Sequence, residues 1–231
     1  MNALFLMLIL ILIAALPLLA AWLAIRHFRV AMPPLLFAGC ILSGMVSLFI
    51  AVLFQSLFPS GLGGVQPDRL RGILLRFFFR IAFTEELSRL LALLVFFALI
   101  KKFHFPVLPP ALAGLLSGLG FAVLEAATYG AADIRIALLR AFTAAPLHGA
   151  CAARTGSAAA SFREDPPRAF FRFLSAVVIH GMYNFIIIIP GPPALIGILI
   201  VFSALASSLI SIRSGLEDGA PPARGRQDSG L

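Results

Sequence analysis

Seven apolar runs of about 20 residues constrain this chain more than any other feature of its sequence. A bilayer core about 30 Å thick is crossed by about 20 helical residues, so each run is long enough for one transmembrane helix. The runs cover residues 4–24, 35–54, 81–100, 110–130, 136–153, 171–189 and 195–212. With 61% hydrophobic and 12% charged residues, a soluble fold would expose large apolar patches to water. We therefore expect an all-α, polytopic transmembrane helix bundle of about seven spans, which excludes the soluble enzyme folds.

The basic residues lie mainly in the connections between the apolar runs. Eighteen Lys and Arg and ten Asp and Glu give a net charge of +8, and between membrane spans this excess indicates topology, not nucleic-acid binding. Eleven basic residues fall on one side, namely Arg26, Arg29, Lys101, Lys102, Arg154, Arg163, Arg168, Arg172, Arg213, Arg224 and Arg226. Six fall on the other side, namely Arg69, Arg71, Arg76, Arg80, Arg135 and Arg140. The N-terminus is therefore expected outside and the C-terminus in the cytoplasm.

The two ends of the chain and one basic stretch complete the predicted organisation. The first run lacks a basic start and stays apolar for about 20 residues, so we expect a retained helix and not a cleaved signal peptide. Arg69, Arg76 and Arg80 share one helical face opposite aromatic residues, which is typical of a segment lying flat in the membrane interface. Residues 1–213 are predicted to form a single transmembrane domain, and residues 214–231 a disordered cytoplasmic tail.

Three carboxylates lie inside the predicted spans, where an ionised side chain costs about 3 kcal/mol. Glu85 and Glu86 are in the third run, and Glu125 is in the fourth. His148 is in the fifth run, and His180 is in the sixth together with Asn184. Four successive spans thus each contribute polar side chains, and such intramembrane groups are functional candidates by default.

The positions of these residues predict one chamber between the four helices. At a rise of about 1.5 Å per residue, the carboxylates lie roughly 6 to 8 Å and the histidines roughly 14 to 18 Å below the outer surface. His180 and Asn184 are i,i+4 neighbours, and Gly114 and Gly118 share a face with Glu125. The two glycines predict a close approach by a neighbouring helix. We expect the chamber to open towards the outside.

Arg89 follows the two adjacent glutamates by one helical turn and is spaced to pair with either of them. Adjacent helical residues point about 100° apart, so one glutamate can face the chamber as a base while the other pairs with Arg89 as its support. Structural alternatives remain open. In these alternatives the glutamates would form only an internal salt bridge with Arg89, and Glu125 would pair with Arg140 or Arg135. His148 would be a packing residue, and His180 with Asn184 would make an interhelical hydrogen bond.

The ordered polar residues of these four spans resemble the PrsW family of glutamic-type intramembrane proteases. The resemblance covers residues 80–185 and rests on four elements: Glu85-Glu86-xx-Arg89, Phe121-xxx-Glu125, His148 and His180-xxx-Asn184. The set is also similar to the broader CPBP/CAAX-processing group. That group has one more residue before its arginine and a histidine at the position of Glu125, so both differences favour PrsW.

The resemblance implies an endopeptidase that hydrolyses a peptide bond of a membrane-anchored protein, such as an anti-sigma factor, in or near the bacterial plasma membrane. Its partners would be that protein and the lipid bilayer, with no nucleic acid, no cofactor and no metal.

In the implied mechanism, one member of the glutamate pair, preferentially Glu85, acts as the general base on a water molecule. His180 and Asn184 stabilise the developing oxyanion. Glu125 and His148 position the water or shuttle a proton, and the arginine of the third run supports the site.

Two other classes of protein fit parts of the same pattern. A metal-dependent hydrolase would use Glu85, Glu125, His148 and His180, since zinc accepts carboxylate and imidazole ligands, but the sequence has no His-Glu-xx-His helix. A scaffold or a proton-coupled carrier would also bury carboxylates and histidines. The lack of a visible internal repeat disfavours a carrier. No serine nucleophile motif accompanies the histidines, which disfavours acyl-enzyme chemistry.

Overall fold

Helices form the whole secondary structure of the described residues in a computed structural model, which describes residues 3–57, 72, 74–106, 108–130, 134–188 and 194–218. Within these ranges there are nine α-helices, one π-helix and no strand, so the predicted all-α fold is confirmed. The elements are α1 (Ala3–Ala14), α2 (Leu16–His27), α3 (Pro34–Leu57), the π-helix (Leu75–Phe83), α4 (Thr84–Lys102), α5 (Pro110–Gly130), α6 (Ile134–Phe142), α7 (Ala144–Ser161), α8 (Pro166–Ile188) and α9 (Ala194–Asp218).

Five or six membrane spans can be assigned by length and apolar composition. Among the described residues, five helical segments qualify: Pro34–Leu57, Pro110–Thr128, Ile134–Ser161, Pro166–Ile187 and Leu195–Glu217. The pair α1 and α2 makes a sixth if it is one broken span. Helix α4, which corresponds to the third predicted run, is not among them because it carries five charged residues. The polytopic bundle is confirmed, whereas α4 as a seventh span stays a prediction.

The first predicted run is bent and does not form one straight helix. Its two halves, α1 and α2, meet at an angle of 43°. Pro17 lies in the first turn of α2, and its ring has no amide hydrogen to continue the hydrogen bonds of α1. Ala14 at the end of α1 packs against Val123 and Ala126 of α5, which joins this region to the bundle.

Helix α5 lies in the centre of the bundle, and glycines set its distance from its neighbours. A Cβ atom on Gly114 would lie 2.0 Å from the carbonyl oxygen of Ala152, and one on Gly118 would lie 2.2 Å from that of His148. The backbones of α5 and α7 are therefore in direct contact, as the glycine spacing predicts. On another face of α5, Gly44 permits the same close packing of α3.

Several basic residues predicted to lie at the ends of spans lie inside helices, as two arginines illustrate. Arg140 is in α6 and Arg154 is in α7, which continues to Ser161 because its small side chains pack closely against other helices. Arg154 donates hydrogen bonds to the hydroxyl of Ser208 at 2.9 Å and to that of Ser207. The orientation of the chain in the membrane stays a prediction.

The predicted tail and the basic stretch are each described only in part. Helix α9 continues to Asp218, so the first residues of the predicted tail are helical, with Arg213 and Glu217 paired at 2.8 Å. Residues 219–231 lie outside the described residues, as do Arg69 and Arg71. The C-terminal part of the basic stretch falls in the π-helix, which leads directly into α4 and has Phe77 buried and Arg76 exposed.

Candidate active site

Four helices bring the polar residues of the predicted chamber into one network. Helix α4 supplies Glu85, Glu86 and Arg89, whereas α5, α7 and α8 supply Glu125, His148 and His180. The close contact of α5 with α7 at Gly118 is what brings His148 beside Glu125. Six of the seven site residues predicted from the sequence are thus connected through hydrogen bonds or ion pairs.

Glu86 and His180 form what we call the inner pair. Oε1 of Glu86 accepts hydrogen bonds from Nδ1 of His180 at 3.0 Å and from Nη1 of Arg89. Oε2 accepts one from the hydroxyl of Thr155 at 2.8 Å. All four side chains are fully buried or nearly so. Because Nδ1 of His180 donates to the carboxylate, Nε2 of the neutral ring carries the lone pair. Both oxygens of Glu86 thus already accept hydrogen bonds, and the carboxylate supports His180 and Arg89.

Glu125 and His148 form the outer pair. Oε2 of Glu125 accepts from Nε2 of His148 at 2.7 Å and from Nη2 of Arg140 at 2.5 Å. Nδ1 of His148 lies 3.1 Å from Nη2 of Arg89, which can only donate. His148 therefore has a proton on Nε2 and a lone pair on Nδ1. The side chains of Glu125 and Arg140 are 13% and 19% exposed, so this pair lies nearer to the surface of the bundle than the inner pair.

Glu85 differs from both paired glutamates. Its Oε2 is buried and has no hydrogen-bond partner among the described residues. The same oxygen lies 3.7 Å from Nε2 of His180 and 3.9 Å from Nη2 of Arg89, distances too long for direct hydrogen bonds. A buried carboxylate oxygen without a partner is costly, so it indicates a position for a water, an ion or a substrate atom.

The residues around Glu85 fit a divalent metal ion. One potential ligand atom from each of Glu85, His148 and His180 lies within 4.8 Å of the others. One carboxylate and two imidazoles are a donor set that zinc accepts. His180 is already oriented for this role, since a carboxylate on the far nitrogen of a histidine fixes the lone pair on the nitrogen facing the metal. His148 would first have to exchange one of its present hydrogen-bond partners.

Phe121 of the predicted motif covers Arg89 from one side. The guanidinium carbon of Arg89 lies 4.3 Å from the centre of the Phe121 ring, and that ring lies 5.1 Å from the ring of His148. A cation over an aromatic face in a dry interior is attracted to it. Phe121 therefore helps to hold the arginine that links the two pairs.

Asn184 and Thr155 are two residues at which the sequence predictions and the geometry of the site differ. Asn184 lies one turn after His180 on α8 and is half-buried, but its side chain makes no hydrogen bond to the described part of the chain. The structural alternatives for Glu86 with Arg89 and for Glu125 with Arg140 are both observed. Thr155 was not predicted from the sequence. It lies two helical turns after His148 on α7, and its side chain is fully buried.

A polytopic helix bundle that buries carboxylates beside histidines has the features of an intramembrane hydrolase. The chain belongs to the PrsW family of intramembrane metalloproteases, whose family model matches residues 32–208. The match includes every residue of the site. No curated protein and no solved structure gives a significant match.

Membership of this family makes the chain a multi-pass intramembrane endopeptidase, which acts on a membrane-embedded protein within the lipid bilayer. The resemblance to PrsW found in the sequence is confirmed, and the protease is favoured over the scaffold and the carrier. The family description says metalloprotease, so the glutamic-type mechanism is not confirmed. The relation to the CPBP/CAAX-processing group also stays a prediction.

Proposed function

We propose that this protease cleaves a membrane-anchored protein of the bacterial plasma membrane, such as an anti-sigma factor, with a divalent ion held by Glu85, His148 and His180. The observation that carries the proposal is the buried Oε2 of Glu85, which has no hydrogen bond among the described residues and faces Nε2 of His180 at 3.7 Å. When bound, such an ion supplies Lewis-acid polarisation of the scissile carbonyl and of water.

The proton of the attacking water needs an acceptor that is not a ligand. Glu86 is unsuited because both its oxygens accept hydrogen bonds from buried partners. Glu125 is partly exposed and adjacent to His148, so it takes the proton from water and delivers it to the leaving amine. Arg140 holds the Glu125 carboxylate in place during this transfer.

Asn184 is assigned to the developing oxyanion. It lies on α8 one turn beyond His180, and its amide is not used by a hydrogen bond to the described residues. An amide donor aimed at the position of the oxyanion stabilises the transition state more than the substrate. Buried Glu86 meanwhile keeps His180 in one tautomer.

The competing mechanism is the glutamic type, in which Glu85 alone activates the water. Its support is the same unpartnered oxygen, which is as suitable for a water as for an ion. The two mechanisms assign different roles to Glu85 and Glu125. In the first, Glu85 is a ligand and Glu125 is the base, whereas in the second Glu85 is the base and no ion is needed.

Metal content and cleavage, measured on the same samples, test the proposal. The full chain is reconstituted in lipid nanodiscs with single-pass membrane proteins as substrates, and metal per chain is measured before and after a chelator. We expect chelation and Glu85→Gln each to remove metal and to lower cleavage by about 100-fold or more. Glu125→Gln should lower cleavage to a similar extent and retain the metal. Glu217→Gln is the matched control, since it alters an exposed glutamate paired with Arg213.

Three results would contradict parts of the proposal. Full cleavage by a metal-depleted chain supports the glutamic type, with Glu85 as the base. Loss of cleavage in Glu125→Gln together with loss of metal makes Glu125 a ligand. If no protein terminus in host membranes differs between cells with the wild-type chain and cells with Glu85→Gln, as measured by mass spectrometry, the proposed class of substrate is wrong.

A further inference from the structure

Thr155 touches the site from α7 without belonging to any of the motifs found in the sequence. Its side chain is fully buried, and its hydroxyl oxygen lies 2.8 Å from Oε2 of Glu86. We propose that Thr155 is a positioning residue of the protease, which acts through Glu86 to fix the tautomer and orientation of His180. This inference rests on the proposed function, since it gives His180 a role as a ligand.

The hydroxyl of Thr155 has a choice of two acceptors. Besides Glu86, the carbonyl oxygen of Cys151 one turn earlier lies at 3.2 Å. A hydroxyl has a single proton, and the shorter distance together with the negative charge of the carboxylate assigns that proton to Glu86.

Other hydroxyls of α7 show that this choice is particular to Thr155. Ser157 donates to the carbonyl of Ala153 at 2.9 Å, and Ser161 donates to that of Ser157 at 2.9 Å. Bonding to the carbonyl one turn back is the ordinary arrangement for a serine or threonine inside a helix. Thr155 departs from it, since its closer acceptor is a carboxylate on another helix.

The carboxylate of Glu86 has an uneven set of donors. Arg89 and His180 both donate to Oε1, so Thr155 is the donor that the structure gives to Oε2. If the hydroxyl is removed, Oε2 is left buried without a partner, and the guanidinium of Arg89 gains by turning the carboxylate until it binds both oxygens. His180 would then lose its acceptor. The hydrogen bond from Thr155 to Oε2 therefore keeps Oε1 of Glu86 in position to accept from His180.

Loss of the Thr155 hydroxyl would affect the proposed metal site through His180. While Nδ1 donates to Glu86, Nε2 keeps a lone pair directed at the space in front of Glu85. Without a fixed acceptor, the ring samples the other tautomer, which has a proton on Nε2 and cannot bind a metal ion through that nitrogen. Carboxylates that orient a metal-binding histidine are worth roughly 10- to 100-fold in affinity or activity, and Thr155 orients that carboxylate.

The test compares Thr155→Val, which keeps the volume and loses the hydroxyl, with Thr155→Ser, which keeps the hydroxyl. Ser157→Ala is the matched control, because it removes a hydroxyl from the same helix that has no carboxylate partner. We expect Thr155→Val to lower kcat and zinc affinity each by about 10- to 100-fold with little change in KM. Thr155→Ser should restore both to within about threefold of wild type, and Ser157→Ala should change neither.

A spectroscopic measurement separates this inference from the proposed function. The ¹⁵N chemical shifts of labelled histidines, recorded in nanodiscs without metal, show whether Nδ1 of His180 carries the proton. We expect this tautomer in wild type and in Thr155→Ser, and a mixture of tautomers in Thr155→Val. The measurement needs no cleavage, so an inactive wild-type chain overturns the proposed function but leaves the tautomer result valid.

Two outcomes overturn the role of Thr155. One is a folded Thr155→Val chain with wild-type zinc affinity and an unchanged His180 tautomer. The other is a Thr155→Ser chain as defective as Thr155→Val, which would assign the effect to the methyl group. If Thr155→Val does not fold, Thr155→Ala replaces it, since alanine also lacks the hydroxyl and is the better helix former. Wild-type zinc affinity in Thr155→Ala then overturns the proposal.

Discussion

The inner pair of Glu86 and His180 and the outer pair of Glu125 and His148 have the same chemical composition but different surroundings. Glu86 is completely buried and accepts three hydrogen bonds, all from buried side chains. Glu125 accepts its bonds from buried His148 and from partly exposed Arg140, and its own side chain is 13% exposed. The inner carboxylate is therefore enclosed by the protein, whereas the outer one reaches the surface of the bundle.

This difference explains how one cluster can combine a fixed part with a reactive part. In a dry interior, a fully satisfied polar network is rigid, because each lost bond leaves an unpaired group. A carboxylate near the surface exchanges hydrogen-bond partners at a lower cost in free energy, because its oxygens need not stay unpaired in a dry interior. Arg89 connects the two pairs through Glu86 and His148. We infer that the inner pair keeps the geometry while the outer pair handles the proton.

The largest expected effect is that of Glu86→Gln on folding stability. Among the described residues, the substitution leaves the buried guanidinium of Arg89 with Glu85 at 3.9 Å as its remaining ion-pair partner. Removing one partner of a buried ion pair costs about 3–5 kcal/mol. The free energy of unfolding can be measured by denaturant titration in mixed micelles. A Glu86→Gln chain within about 1 kcal/mol of wild type would show that the inner pair is not a rigid anchor.

An effect of intermediate size is expected from Gly118→Ala, which acts on the backbone beneath the outer pair. The added Cβ would lie 2.2 Å from the carbonyl oxygen of His148, so α7 must move away from α5. Overpacking of this kind costs about 1–3 kcal/mol, and the shift of His148 should also lower cleavage.

Gly149→Ala is the control for this prediction. It alters the residue next to His148, but its added Cβ would meet the end of the flexible Leu119 side chain at 3.3 Å, not a backbone atom at 2.2 Å. Stability near or above wild type is expected there, because alanine is the better helix former by up to about 1 kcal/mol. Equal losses in both variants would mean that the contact at Gly118 is not specific.

Residue spacing predicted six of the side chains that meet in the site, but it also included Asn184, which makes no hydrogen bond to the described residues, and it missed Thr155. Intramembrane carboxylates and histidines on successive helices have few alternatives to facing each other, and the glycines beside Glu125 predicted the contact that α7 makes. The roles of Glu85 and Glu86 could not be separated in this way. They are adjacent in sequence, and what distinguishes them is Thr155 and His180, which are brought in from α7 and α8.

Hydropathy predicted the helix bundle, but it did not predict which charged side chains lie inside a helix. Arg154 marks the end of an apolar run in the sequence, yet its guanidinium is accommodated inside the bundle by serine hydroxyls of α9. Run length alone also does not reveal the bend of 43° between α1 and α2, because a proline in the first turn of a helix does not interrupt an apolar pattern. Both features depend on hydrogen bonding, which a hydropathy pattern does not contain.

The smallest expected effect on stability is that of Glu125→Gln, and it tests whether the two pairs are linked. The amide oxygen still accepts from His148, and the side chain of Arg140 is 19% exposed, so the loss should be about 1 kcal/mol. If Arg89 couples the pairs, the double variant Glu86→Gln/Glu125→Gln should deviate from the sum of the single effects by about 0.5–3 kcal/mol. Such coupling would mean that the proton-handling carboxylate depends on the anchored one. Additive losses would instead show that Arg89 serves the inner pair alone, and that the outer pair can change partners without disturbing His180.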